Sequence, residues 1–278
     1  MDNFRLSFEF FPTKTEEGTR KLFATRDKLA ELNPDFFSVT YGAGGSTRDT
    51  TVDAVVGMNQ KGICTAPHLS CVGESRDNIK DLLNHYAAND VNRIVALRGD
   101  LPSGMAASAG ELKYANELVE LIKAEHGDQF HLEVAAYPEM HPQASSFEDD
   151  LINFKRKVDA GADSAITQYF FNPDSYFYYV DRCQEMGIDI PIVPGIMPIT
   201  NYTKLARFSD MCGAEIPRWI RKQLEAYGDD SESIMKFGEE VITQMCEDLV
   251  ANDVPGLHFY TLNQADPCID VWKNLDLW

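Results

Sequence analysis

The chain has 278 residues, 44% hydrophobic and 25% charged, with 25 Lys plus Arg against 44 Asp plus Glu, a formal charge of −19. That balance describes a globular protein with an ample core, and it argues against nucleic acid as the main partner, because phosphate binding needs a positive surface. No apolar run is long enough to cross a membrane and the first residues are not a signal peptide, so no membrane partner and a cytoplasmic location are expected. Six cysteines at 64, 71, 183, 212, 246 and 268 form no CxxC pair and are expected to be reduced thiols. His68 and Cys71 lie close in sequence, but no second ligand pair accompanies them, and no metal is expected.

Along the chain a short apolar strand, a polar corner and an amphipathic helix recur. The pattern predicts strands at 5–11, 35–41, 63–69, 92–98, 130–137, 163–170, 190–194 and 256–261. It predicts helices at 15–31, 47–61, 75–89, 110–126, 147–160, 174–186 and 201–212, then a longer helical insertion at 215–251 and a last helix within 264–276. Leu224 to Val254, whose only Lys or Arg is Lys236, reads as a solvated acidic helix face. Eight strands alternating with helices and no linker argue for an α/β protein of the (β/α)8 TIM-barrel class. It would be a single domain over 1–278 with a helical insertion before the last strand; an open doubly wound sheet is the alternative.

The first strand, "RLSFEFFPTK", poses a problem. Ser7, Glu9 and Phe11 share one face of it, and a carboxylate among phenylalanines is costly to bury unless paired, protonated or used. A paired structural carboxylate explains Glu9 by itself. However, the barrel hypothesis places active sites at the C-terminal strand ends, and unusual polar residues gather there on seven of eight strands: Glu9, Thr40 with Tyr41, His68, Arg98 with Asp100, Tyr137 with His141, Gln168, and His258.

"VTYGAGGST" at 39–47 fails the GxGxxG fingerprint at Thr47 and is explained by a tight turn with a helix cap at Ser46 or Thr47. "IVALRGDLPSG" at 94–104 turns sharply through Arg98-Gly99-Asp100, with Pro102 and Gly104 shaping the loop; it reads either as a braced turn or as an anion contact beside a carboxylate. On the helix "DLINFKRKVDAGAD", Asn153 and Lys157 share a face, and Lys155-Arg156-Lys157 suits either solvent or a diphosphate. Gln168 lies on the face of Ile166 and Phe170, where an amide could read a heterocycle's donor and acceptor edge.

In order, "SFEFFP", "SVTYGAGG", "APHLSC", "VALRGDLP", "AAYPEMHP", "NFKRKVDAGAD", "ITQYFF", "PGIMPITNY" and "HFYTLN" resemble the bacterial 5,10-methylenetetrahydrofolate reductase family across nearly the whole chain. The resemblance implies a (β/α)8 barrel with non-covalent FAD and a homo-oligomer. The implied reaction reduces methylenetetrahydrofolate to 5-methyltetrahydrofolate with NADH or NADPH, in ping-pong fashion through one site, supplying methyl groups for methionine synthesis. No regulatory domain of the eukaryotic kind is expected. By motif, Glu9 matches the catalytic acid. Tyr41, His68, Arg98, Gly99, Asp100, Tyr114, Ala115, Tyr137, His141, Asp150, Asn153, Arg156 and Lys157 match FAD contacts. Thr40 and Gln168 match positions near nicotinamide or folate, Asp100 also faces folate, and Phe208 matches the aromatic packing on either substrate. Lys204 and Gln264 depart from the enteric pattern at two folate-contacting positions, where glutamine and arginine are familiar. This suggests that the positive charge for the folate's glutamate tail has moved from one wall to the other.

Hydride can be accepted by methylenetetrahydrofolate only after its five-membered ring opens to a cationic iminium, which requires a general acid. Among Phe8, Phe10 and Phe11, Glu9 is expected to have a raised pKa and to hold that proton. Two other classes remain open at this point: a non-redox pterin-binding barrel such as a folate-dependent methyltransferase module, and another flavin barrel such as a proline dehydrogenase.

Overall fold

The computed structural model describes residues 4–41, 48–60, 62–100, 110–275 and 277. Among them nine strands form one sheet in the order β7-β6-β5-β4-β3-β2-β1-β9-β8, with every pair parallel. The strands are β1 (Arg5–Phe10), β2 (Phe36–Val39), β3 (Thr65–Ser70), β4 (Arg93–Leu97), β5 (His131–Ala136), β6 (Ser164–Thr167), β7 (Ile192–Val193), β8 (Gly195–Ile196) and β9 (Gly256–Tyr260). Parallel neighbours need long crossovers, and helices supply them: α1 (Glu16–Ala30), α2 (Arg48–Asn59), α3 (Arg76–Ala88), α4 (Ala115–His126), α5 (Phe147–Asp159), α6 (Pro173–Glu185), α7 (Tyr202–Cys212), α8 (Arg218–Tyr227) and α9 (Ser231–Ala251), with α10 (Asp266–Asn274) last.

The predicted barrel is therefore present, with its seventh strand split in two. Pro194 has no N–H to give a ladder, so β7 pairs with β6 and β8 pairs with β9 on either side of it. The break is bridged locally: His258 N–H donates to Pro194 O at 3.0 Å and Gly195 N–H to Thr167 Oγ1 at 2.9 Å. Tyr260 Oη donates to Thr167 O at 2.7 Å. A β-carbon on Gly195 would stand 2.2 Å from Thr167 O and 2.6 Å from the Tyr260 ring, so this closure requires glycine.

Local sequence signals explain the helix starts. Thr15, Ser75, Ser146, Asn172, Asn201 and Asp230 each accept a backbone N–H in the first turn of the helix they precede. Two expectations shift. The fourth helix begins at Ala115 rather than 110, and the insertion at 215–251 is two helices separated at Gly228, a left-handed residue (φ 57°) after which Asp230 caps α9. The Ser46 or Thr47 cap and the Pro102–Gly104 loop lie outside the described residues.

Outward-facing Phe8, Phe10, Phe37, Leu132 and Phe259 pack fully buried under the helices, each such side chain contributing roughly 1.5–3 kcal/mol. Inside the barrel the apolar layer is small: Phe36, Ala66, Val95 and Ile166. Below it Arg93 pairs with Glu133, whose carboxylate also accepts from Ser164 Oγ at 2.6 Å. Above it, towards the C-terminal strand ends, the interior is polar again. Among the described residues no helix is long and apolar enough to cross a membrane.

Candidate active site

Glu9 stands on the inner face of β1, its side chain about 10% exposed. His68 from β3 brings Nε2 to 3.2 Å from Glu9 Oε2, and His258 from β9 brings its own to 3.7 Å. Neither Nε2 meets an acceptor in hydrogen-bond alignment, so these are close charge contacts. Behind them, His258 Nδ1 and Ser7 Oγ share a 2.7 Å hydrogen bond. Strand alternation makes the cluster: residues 7 and 9 on β1, 68 on β3 and 258 on β9 all point inward.

This geometry corrects the expectation for Glu9. Burial does push its carboxyl up, as the surrounding phenylalanines suggest. Positive charge on His68, together with the contact from His258, outweighs that and brings the pKa from 4.5 down to about 2. Glu9 is thus held ionised beside two imidazoles.

Above Glu9 a cavity of about 400 Å³ opens at the C-terminal ends of the strands. Of the residues singled out from the sequence, Asp100, Tyr137, His141, Gln168 and Phe208 line it, and so do Phe11, Tyr169, Tyr260 and Leu262, which the motif reading passed over. Strand alternation carries the missing signal for two of these, since Phe11 continues the face of Glu9 and Tyr260 that of His258. Tyr260 sets its edge against the His258 ring, with centroids 5.4 Å apart at 87°.

A second cavity of about 280 Å³ adjoins the first through Asp100, Tyr137, His141 and Gln143. Its walls include Arg98, Gly99, Tyr114, Ala115, Asp150, Asn153 and Lys157. Gly99 (φ 82°) could carry no side chain, because a β-carbon would meet Ser70 Cβ at 2.7 Å. Among the described residues no ion pair joins Arg98 to Asp100; Arg98 Nε donates to Gly99 O at 3.3 Å instead. Asp150 accepts the His141 N–H at 2.9 Å, and the His141 ring meets Tyr137 edge-on at 4.5 Å. Lys157 donates to Ala135 O, and burial lowers its amine to about 8 although Asp150 pulls the other way.

The remaining candidates fall outside both cavities. Arg156 is exposed and bonds Asn153 Oδ1 at 2.8 Å. Thr40 and Tyr41 are half-buried, with Tyr41 Oη donating to Glu74 at 3.3 Å. Lys204 is exposed one helical turn before Phe208, whereas exposed Gln264 borders a separate cavity beside α1, α9 and α10.

A parallel (β/α) barrel whose C-terminal mouth joins an acid–imidazole cluster to a polar annex, walled by Arg98 and Lys157 with Asp100 and Asp150, is the framework of an enzyme active site. The family model described as methylenetetrahydrofolate reductase matches residues 1–276, and the chain belongs to that family. It is 44% identical over 262 residues to the 5,10-methylenetetrahydrofolate reductase of Salmonella typhimurium, covering 94% of this chain and 87% of that one. It is 39% identical over 285 residues to methylenetetrahydrofolate reductase (NADH) 1 of Arabidopsis thaliana, covering 98% of this chain and 48% of that protein. Among solved structures, a Clostridium thermocellum protein described as binding two copies of 5-methyl-5,6,7,8-tetrahydrofolic acid shares the fold. Its TM-score is 0.69 at 15% identity, over 99% of this chain and 95% of that one.

Proposed function

We propose that this methylenetetrahydrofolate reductase works as a cytoplasmic flavoprotein homo-oligomer, with non-covalent FAD, NADH as electron donor and alternating use of one cavity by both substrates. The observation that carries this reading is the junction of the two cavities. The annex offers the half-buried Arg98 and Lys157, with Asn153 beside them, to a diphosphate, while Asp100 and Asp150 complete its walls and the larger cavity ends on Glu9. The donor set suits the cofactor: two cations, the Asn153 amide, and Gly99, which lets backbone approach closely. A bound flavin supplies the means of passing hydride from nicotinamide to folate. The name of the Arabidopsis relative favours NADH.

This chain's own residues then handle position and protons. Gln168 turns an amide into the larger cavity, where it can bond the donor and acceptor edge of a pterin. Phe208 and Phe11 offer apolar walls for a flat ring. Protonation that opens the folate's five-membered ring is assigned to Glu9 as a relay: its resting carboxylate takes a proton from His258, 3.7 Å away and oriented by Ser7 through Nδ1, and passes it to the substrate. Asp100, exposed where the cavities meet, lends negative charge to the iminium cation as it develops.

An anaerobic visible spectrum tests the reading. A flavin band that bleaches with NADH and returns with methylenetetrahydrofolate is the expected result. Protein that stays colourless after incubation with FAD would overturn it in favour of a non-redox pterin barrel, and bleaching without recovery would leave the flavin but reject the folate.

A further inference from the structure

The end of β1 is held from one side by residues that follow β9. Glu9 O accepts from both the N–H and the hydroxyl of Thr261, at 3.3 and 2.6 Å. Two residues on, the Asn263 carboxamide brackets Phe11: Oδ1 accepts the Phe11 N–H at 2.9 Å and Nδ2 donates to Phe11 O at 3.0 Å. Backbone pairing between β1 and β9 ends at Glu9 and Tyr260, so this side chain adds one further rung to the ladder.

Reaching that position demands unusual backbone. Leu262 and Asn263 are consecutive left-handed residues, with φ of 50° and 58°. Asparagine visits this region readily, but leucine rarely does. Such a conformation persists only where its surroundings over-determine it. Here Thr261 Oγ1 accepts the Asn263 N–H at 3.0 Å, and Thr25 of α1 donates its hydroxyl to Asn263 O at 3.3 Å.

The turn has a clear spatial consequence. Phe11, one residue past β1, continues the inward face of Glu9, so fixing the backbone on both sides of Phe10 fixes the direction of both side chains. Phe11 and Leu262 then line the larger cavity together with Glu9. Phe11 is 37% exposed, a large ring held open at a cavity mouth when it could have turned into the core.

We propose that Asn263 is a positioning residue for the folate step: its carboxamide clamp and the left-handed turn hold Phe11 and Leu262 as a fixed apolar wall over Glu9. The inference rests on the reductase reading above and deepens it. Both substrates use this cavity, but only the pterin must be protonated there, at Glu9 and with water excluded; hydride delivery from nicotinamide asks no proton of Glu9. Loss of the clamp therefore falls mainly on one half-reaction.

The test uses the FAD-loaded protein and three variants, Asn263→Gly, Asn263→Ala and Asn263→Asp. Glycine keeps the left-handed turn without strain and removes only the carboxamide. In Asn263→Gly the return of the flavin band with methylenetetrahydrofolate should slow about tenfold or more, bleaching by NADH should stay within about threefold, and the Phe11 amide should exchange its hydrogen about tenfold faster. Asn263→Ala should behave likewise, and Asn263→Asp should fall between, because it keeps an acceptor for the Phe11 N–H. A glycine variant with a normal folate step would overturn the proposal and leave Asn263 as a turn-former. Equal loss of both half-reactions would also overturn it, as a general structural defect. Wild-type protein lacking both half-reactions would refute the reductase reading instead, and unchanged Phe11 exchange would still refute the clamp.

Discussion

His68 Nε2 lies 3.2 Å from Glu9 Oε2, and His258 Nε2 approaches the same oxygen at 3.7 Å. One buried acid beside two imidazoles is a coupled unit, because no member can change its charge without moving the others' affinities.

Replacing Glu9 by glutamine keeps the shape and removes the acid. Flavin reduction by NADH should stay within a few-fold of wild type, whereas folate reduction should fall by about a hundredfold or more. Stopped-flow measurement of the two half-reactions separately checks this; retained folate turnover would sink the assignment.

The same residue has a stability signature. Its folded pKa of about 2 lies below the unfolded value of 4.5. A depressed acid contributes stability that is fully present above the unfolded pKa and is lost as pH falls from there towards 2. Thermal melts of wild type and Glu9→Gln at pH 7, 4.5 and 3 should therefore converge as the pH drops. A gap independent of pH would mean that the imidazoles do not carry the charge assigned to them.

Asp100 is exposed and belongs to both cavities. Asparagine there removes a negative charge from the junction with little change of shape. Folate reduction should slow by about tenfold, the loss of one stabilising charge near a developing cation, while flavin reduction by NADH should be no slower. Parallel slowing of both steps would point to a structural role.

Lys157 has its amine lowered to about 8 by burial. A diphosphate beside it would favour the charged form and raise that value again. FAD binding at pH 8–9 should therefore take up a proton, visible as a buffer-dependent enthalpy in calorimetry, and should weaken as pH rises. In Lys157→Gln the uptake should vanish. Uptake that survives the substitution would assign the proton elsewhere.

On α7, Lys204 precedes Phe208 by one turn, while Gln264 faces a different cavity. Lys204→Ala should raise the KM for methylenetetrahydrofolate about threefold, the scale of a solvent-exposed charge contact, and Gln264→Ala should leave it unchanged. Equal effects would refute the idea that the positive charge for the folate tail has shifted walls.

Much of this molecule is determined by its sequence alone. The alternation of short apolar strands with amphipathic helices is a local pattern, and so are the caps at Thr15, Ser75 and Ser146, so the barrel and most element boundaries are legible without coordinates. The inward face of β1 is legible too, because side chains alternate whatever the partner strand.

What the tertiary structure decided is which inward faces meet. Ser7, Glu9, His68 and His258 span some 250 residues of chain, and only closure of the barrel through β9 and β1 brings them together. That is why Glu9 looked like a carboxyl raised by phenylalanines and proved to be one lowered by imidazoles: burial can be read from neighbours in sequence, but the countercharges come from other strands. The break at Pro194 and the Asn263 clamp have the same origin. Proline and asparagine announce a turn locally, but the backbone groups they spare or satisfy belong to distant segments, and the fold alone supplies those partners.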